Sequence, residues 1–184
     1  MTCIVGLVHN NQVWMGGDSA GVGGLSITVR ADKKVFRNGE FLFGFTSSFR
    51  MGQILRYRFD PKPIPDWDLE KYMCTAFVDE IRGCFKEYGF AESSRGADVG
   101  GTFLVGVRGR LFCVMGDYQV GWNHKPFDAV GCGDDLAKGA LDALHMLEHK
   151  PGPQFMVETA LTAAANWSAG VCAPWTIEHI EHNG

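Results

Sequence analysis

The first 45 residues carry short apolar runs broken by polar turns. Residues 3–8 and 13–15 are apolar and β-prone and are joined through His9-Asn10-Asn11-Gln12. Adjacent asparagines tolerate positive φ, which suits a tight hairpin. Strand character continues over 26–30, 34–37 and 40–45, with Asn38-Gly39 as a second hairpin signal. From about 48 to 57 the pattern turns helical. Over 68–85, Leu69, Tyr72, Met73, Ala76, Phe77, Ile81 and Phe85 fall on one stripe at helical spacing. The proline-rich 61–65 reads as a connector between these helices. A polar, glycine-containing loop is expected over 91–101. Two strands follow, 102–107 and 110–115, around Arg108-Gly109. Helices are expected at 134–148 and about 154–167, and β character returns near Val171 and over 175–180.

The order is therefore strands, two helices, two strands, two helices, strands. Strict βαβα alternation is missing, which argues against a doubly wound parallel sheet. Two packed antiparallel sheets with helix pairs outside fit better, an α+β chain arranged as a four-layer αββα sandwich. At 184 residues the chain reads as one domain, 1–184, large enough for a real core.

Composition narrows the function. Net charge is −4 with no basic run, so nothing supports nucleic-acid binding by charge. No segment approaches the ~18–20 apolar residues of a membrane span, and no basic region precedes an apolar stretch as in a signal peptide. The six cysteines (3, 74, 84, 113, 132 and 172) form no CxxC pair and sit among apolar residues. Reduced thiols and a cytoplasmic location are the expectation.

The candidate chemistry starts at Thr2. Methionine is commonly trimmed before a small residue, which makes Thr2 the expected N-terminus. An N-terminal threonine holds a hydroxyl and an amine on adjacent carbons. The amine, with an unperturbed pKa of ~7.7–8, can take the hydroxyl proton, so the nucleophile carries its own base. Further along, Gly16-Gly17-Asp18 ends the second strand, and Lys33-Lys34-Val35-Phe36 enters a later one. Gly44-Phe45-Thr46-Ser47-Ser48 joins a strand to a helix, and Val130-Gly131-Cys132-Gly133 precedes another.

With these residues the chain resembles the proteasome β-subunit and HslV-like family of N-terminal nucleophile hydrolases. The spacing Thr2–Asp18–Lys34 matches that family without gaps. The ending, Ala164-Ala165-Asn166 through Trp175-Thr176-Ile177-Glu178, is also similar. The resemblance implies a threonine-type peptidase. Thr2 Oγ attacks the peptide carbonyl, and Lys34 favours its alkoxide and keeps the amine deprotonated. Asp18 holds Lys34, and the Gly44 N–H stabilises the oxyanion. The family's serine near the amine appears here as Cys132, a weaker hydrogen-bonder. Its later aspartate appears as Asn166, which keeps hydrogen bonds without the charge. Cys132 also reads as a small core residue and Asn166 as a structural one. Ser168 or Ala169 aligns with a further family serine.

The resemblance also implies a substrate pocket near Gly21, Asp32, Phe36, Leu42 and Thr46. A small or apolar side chain before the scissile bond is expected there, with Asp32 offering an alternative site for a basic one. The implied partners are a peptide or unfolded protein, further copies of the chain in a homo-oligomeric ring, and an AAA+ ATPase. No cofactor or metal is needed for this chemistry. The tail 178–184 reads as a docking surface or as a frayed end.

Other readings compete. His145-Met146-Leu147-Glu148-His149 matches the inverted zinc-protease signature H-x-x-E-H. The apolar positions Leu136, Ala140, Ala143, Leu144 and Leu147 put both histidines on the opposite, solvated helix face. Gly17-Asp18-Ser19 matches the start of GDSL-type esterases, but that fold needs a helix directly after the serine. Two further alternatives are a non-catalytic shell subunit and a stand-alone amidohydrolase of the same family.

Overall fold

The computed structural model describes residues 1–90, 92–94 and 97–182. The chain opens with β1 (Cys3–His9), β2 (Gln12–Gly17), β3 (Ala20–Gly23), β4 (Ser26–Val29), β5 (Val35–Asn38) and β6 (Phe41–Phe45). Helix α1 (Phe49–Tyr57) follows. Next come α2 (Leu69–Tyr72), a π-helical turn (Met73–Phe77) and α3 (Val78–Glu87). Two short strands, β7 (Glu92–Ser94) and β8 (Ala97–Val99), lead to β9 (Phe103–Val107), β10 (Arg110–Val114), β11 (Val120–Gly121) and β12 (Phe127–Gly131). Helices α4 (Asp134–His145) and α5 (Pro153–Trp167) precede the last strand, β13 (Thr176–Glu181).

The fold is α+β. One antiparallel sheet has the order β12-β1-β2-β13 and the other β11-β10-β9-β6-β5. The pairs β3–β4 and β7–β8 are separate hairpins. Turn chemistry explains the first connections. Asn10 and Asn11 take φ of 49° and 60°, the mirror-image turn that the right-handed strand twist favours. Arg108 and Gly109 do the same between β9 and β10. The Asn38-Gly39 signal is displaced by one residue. Asn38 closes β5 and its side chain donates to Leu55 O and Phe59 O, while Gly39 takes the positive φ.

The period of two along the strands sorts side chains into different clusters. On β1, Cys3, Val5 and Leu7 pack with Ala137 and Leu141 of α4 and Val157 and Leu161 of α5. Ile4 points the other way, joining Met15, Val35, Leu42 and Leu104. On β6, Phe41, Phe43 and Phe45 join Met51 and Ile54 of α1 and Ile81 and Phe85 of α3. The stripe expected over 68–85 is buried at Tyr72, Met73, Phe77, Ile81 and Phe85. Four of these recur at exact steps of four residues, and the wider π turn keeps such a row on one face.

Several expectations change. Strands β3, β11 and β12 lie where no strand was expected. The sequence of β12, Phe127-Asp128-Ala129-Val130-Gly131, interrupts its apolar run with a charge and only becomes a strand by pairing with β1. The region 91–101 holds β7 and β8; residues 91, 95 and 96 of it lie outside the described residues, as do 183 and 184 of the tail. The rest of that tail is paired, because β13 runs antiparallel to β2 through Glu181. Val171 is buried but lies in no strand. On α4 the buried residues are Ala137 and Leu141, whereas Leu136, Ala143 and Leu147 are exposed. Among the described residues no helix is long and apolar enough to cross a membrane.

Candidate active site

Three strand ends converge on Thr2. Thr2 precedes β1, Asp18 follows β2, and Lys34 precedes β5. The register ties them together: Gly17 lies opposite Ile4, and the Asp18 N–H donates to Cys3 O at 3.3 Å. Thr2, Asp18 and Lys34 are all buried, Lys34 at 1% exposure.

The Lys34 ammonium uses all three protons. Nζ donates to Thr2 Oγ1 at 2.7 Å, Asp18 Oδ1 at 2.8 Å and Ala20 O at 2.7 Å. Asp18 is held in turn. Its Oδ1 accepts from the Cys3 N–H at 3.0 Å and its Oδ2 from the Ala20 N–H at 2.8 Å. Burial pushes the Lys34 pKa below its ordinary value, and the Asp18 carboxylate opposes that shift. The Thr2 hydroxyl oxygen therefore faces a fixed cation in a site with little water, where charge stabilisation is strongest.

Met1 is attached here, so the Thr2 nitrogen is a peptide N–H. It donates to Cys132 Sγ at 3.3 Å, and the Thr2 hydroxyl donates to Met1 O at 2.5 Å. Ser168 Oγ, after α5, donates to the same sulfur at 3.3 Å. Gly131 makes this approach possible. Its φ is +109°, and a Cβ there would sit 2.2 Å from Thr2 O. Asn166 lies exposed on the last turn of α5, and its side chain has no hydrogen bond among the described residues.

Gly44 is placed differently from its expected role. Phe45 N–H donates to Lys34 O and Thr46 N–H to Thr102 O. Ladder alternation then turns the Gly44 N–H toward its β9 partner Leu104, away from Thr2. A Cβ at Gly44 would come within 2.5 Å of Ile4 Cγ2 and Met15 Sδ, so the glycine serves close packing. Leu42 is fully buried in the same cluster, and Phe36 lies in the aromatic cluster beneath α1. Neither borders Thr2.

The recess that Thr2 lines is formed with Met1, Val22, Phe45, Thr46, Ser47, Ser48 and Phe49 and measures about 80 Å³. Thr46 lines this recess. Gly21 lies one residue from Val22 on β3, its Cα against the Arg30 side chain. The Asp32 carboxylate is taken by Arg30 through two hydrogen bonds of 2.6 Å, which hold its pKa below the usual range. That pairing removes the free anion a basic substrate group would need.

Ser47, Phe49 and Val22 were not legible as site residues. Ser47 takes φ +67°, and its N–H has no partner among the described residues. Serine rarely adopts that conformation, so nothing local announces the turn.

The competing motifs lose their geometry. Helix α4 ends at His145, whose ring packs edge-on against Phe127, so Glu148 and His149 do not continue its face. Ser19 is buried, donates to Pro174 O at 2.5 Å, and is followed by β3 instead of a helix.

This arrangement sits in a proteasome-like fold. Thiobacillus denitrificans BPH in complex with epoxomicin is similar over 100% of both chains, with a TM-score of 0.80 and 20% identity. Eukaryotic HslV from Trypanosoma brucei is similar over 98% of this chain and 100% of its own, with a TM-score of 0.70 and 18% identity. Anbu, an ancestral β-subunit from Yersinia bercovieri, is similar over 98% and 82%, with a TM-score of 0.65 and 13% identity. No protein-family model and no curated protein matches the sequence.

Proposed function

We propose that this chain is a threonine-type peptidase whose nucleophile is Thr2 after loss of Met1. The observation that carries the reading is the buried chain Thr2 Oγ1–Lys34 Nζ–Asp18, with links of 2.7 and 2.8 Å. Loss of Met1 converts the Thr2 nitrogen into an amine beside its own hydroxyl. The amine takes the hydroxyl proton as Oγ1 attacks the peptide carbonyl, and Lys34 stabilises the alkoxide. Collapse of the tetrahedral intermediate expels the amine of the departing peptide, which takes the proton, and leaves an ester on Thr2. Water hydrolyses that ester by the same relay. We assign the oxyanion donor to the Ser47 N–H, which has no partner among the described residues, in place of Gly44. Such a donor contributes ~3–4 kcal/mol. Cys132, supported by Ser168, orients the Thr2 nitrogen, and Asn166 stays outside the chemistry.

The two sheets and their helices fit a single-domain, four-layer αββα sandwich over 1–184. A cytoplasmic homo-oligomeric ring, a peptide or unfolded protein substrate, and an AAA+ ATPase that delivers it complete the proposal. Each rests on the family resemblance.

The test is the intact mass of the expressed protein before and after epoxomicin, the compound bound in the BPH complex. The expected result is loss of Met1 and one covalent adduct on Thr2. Retained Met1 with no adduct favours the non-catalytic shell subunit. An adduct on Thr2 with hydrolysis of small amides only favours a stand-alone amidohydrolase.

A further inference from the structure

Two sulfur atoms lie side by side at an open edge between the two large sheets. Cys113 is on β10, and Met115 follows that strand directly. Residues two apart on an extended chain share a face. This face looks toward the other sheet, because Leu111 and Cys113 pack against the cluster that holds Ile4 and Val130. The Cys113 thiol donates to Met115 Sδ at 3.6 Å. Strand β12, at the edge of the other sheet, brings Asp128 to the same place, and the connector from β11 to β12 adds Trp122 and His124. These five residues line a recess of about 440 Å³. It shares no residue with the recess beside Thr2. Met115 is 41% exposed, so solvent reaches the sulfur pair.

A thiol and a thioether are soft, polarisable donors, and together they select a soft ion such as Cu(I) over hard cations. Among the described residues no three His, Cys, Asp or Glu side chains gather as a metal site, so the Met115 sulfur is what distinguishes this recess. With metal–sulfur bonds of about 2.3 Å, the length zinc makes to a thiolate, sulfurs 3.6 Å apart subtend an angle of about 100° at the ion. That angle is bent and leaves the far side of the ion open to a third ligand. The His124 imidazole lines the same recess and has no hydrogen bond among the described residues. Trp122 adds an aromatic wall, which favours a cation. Burial, with Asp128 next, pushes the Cys113 thiol up to about 12; Lys138 opposes this and Asp134 adds to it. Binding therefore breaks the S–H bond, forms the S–Cu bond and releases one proton to water, with no change of oxidation state.

We infer that Cys113 and Met115, with His124 as third ligand, form a binding site for a soft monovalent metal ion, Cu(I). The site is separate from the Thr2 chemistry and does not rest on the peptidase reading.

The test titrates the reduced, full-length protein with Cu(I) alone, without oxygen, against a chromophoric chelator that competes for the ion. Cys74 and Cys132 are exposed thiols, so the variants carry the test and total uptake does not. Met115→Leu conserves volume and leaves every thiol in place. It is expected to lower the affinity for the tightest equivalent by at least ~10-fold, the least that even an outer partner of a metal ligand contributes. Cys113→Ser is expected to lower it at least as much, and His124→Ala to lower it less. Methionine-methyl NMR reads the thioether directly and needs only the folded wild type and Met115→Leu. One equivalent of Ag(I), a redox-inert stand-in for Cu(I), is expected to shift the methyl resonance that is missing from Met115→Leu.

Unchanged affinity in Met115→Leu overturns the inference, and so does a Met115 methyl resonance that stays in place. Weaker binding in Met115→Leu and Cys113→Ser with none lost in His124→Ala supports the sulfur pair and overturns the third ligand.

Discussion

Lys34 is a fully buried ammonium with every proton donated, and two predictions turn on it. Removing it leaves Asp18 buried without its counter-ion. Breaking such a pair costs about 3–5 kcal/mol, so Lys34→Ala is expected to lower stability by that order and to remove turnover. Urea unfolding with peptide hydrolysis checks both. Thr2→Ala, by contrast, deletes one hydroxyl; it should abolish hydrolysis with folding intact, and residual turnover excludes Thr2 as nucleophile. The pH dependence follows from the lowered Lys34 pKa. Below the folded pKa the cost of burying the charge is fully present. Between that pKa and the ordinary value of 10.5 the unfolded chain binds the extra proton, so the Lys34 contribution to stability rises with pH. Activity moves the other way, because the same deprotonation removes the cation beside Thr2 Oγ1. The alkaline limb of kcat/KM is expected to fall below pH 10.5 while the stability difference between wild type and Lys34→Gln shifts in favour of wild type. A pH series of melts and rates checks the opposed signs. At Cys132, serine keeps an acceptor near the Thr2 nitrogen and donates more strongly than a thiol. Cys132→Ser should retain or raise kcat, and Cys132→Ala should lower it.

Among elements, β6 and α1 supply the Phe45 and Phe49 walls of the recess beside Thr2. Gly44→Ala places a methyl within 2.5 Å of Ile4 and Met15 across the sheets. Overpacking of this kind costs about 1–3 kcal/mol, and a loss of stability is expected without a selective loss of kcat in the folded fraction. Thermal melts with rates per folded molecule separate this role from an oxyanion role. Ser48→Ala removes the cap of α1 and is expected to cost about 0.5–2 kcal/mol. Much of this level was legible beforehand. The paired asparagines, the Arg108-Gly109 turn, the helical run from 48 and the stripe over 68–85 all act through near neighbours. β12 was not, because Asp128 breaks its apolar run and only β1 supplies its ladder. The short strands β3 and β11 have the same dependence on a partner. On α4 the expected stripe was rotated, since α5 and β12, and not the helix alone, determine which face is covered.

At the scale of the whole molecule, the β3–β4 hairpin stands outside both large sheets and exposes Leu25, Ile27 and Val29. A ring of identical subunits predicts a solution mass that is a multiple of 20.2 kDa, read by light scattering; a lone monomer excludes the ring. The sequence by itself determined Thr2, Asp18 and Lys34 as a set, the α+β class and most strand and helix positions, because composition, periodicity and turn chemistry are local or depend on simple spacing. Tertiary structure alone decided the rest. Ladder alternation directed the Gly44 N–H to β9 and left the Ser47 N–H without a partner among the described residues. Pairing with Arg30 neutralised Asp32. Val22 of β3, Phe45 of β6 and Phe49 of α1 meet around the recess beside Thr2. Each of these depends on hydrogen-bond direction or on volume shared with residues that no spacing rule connects.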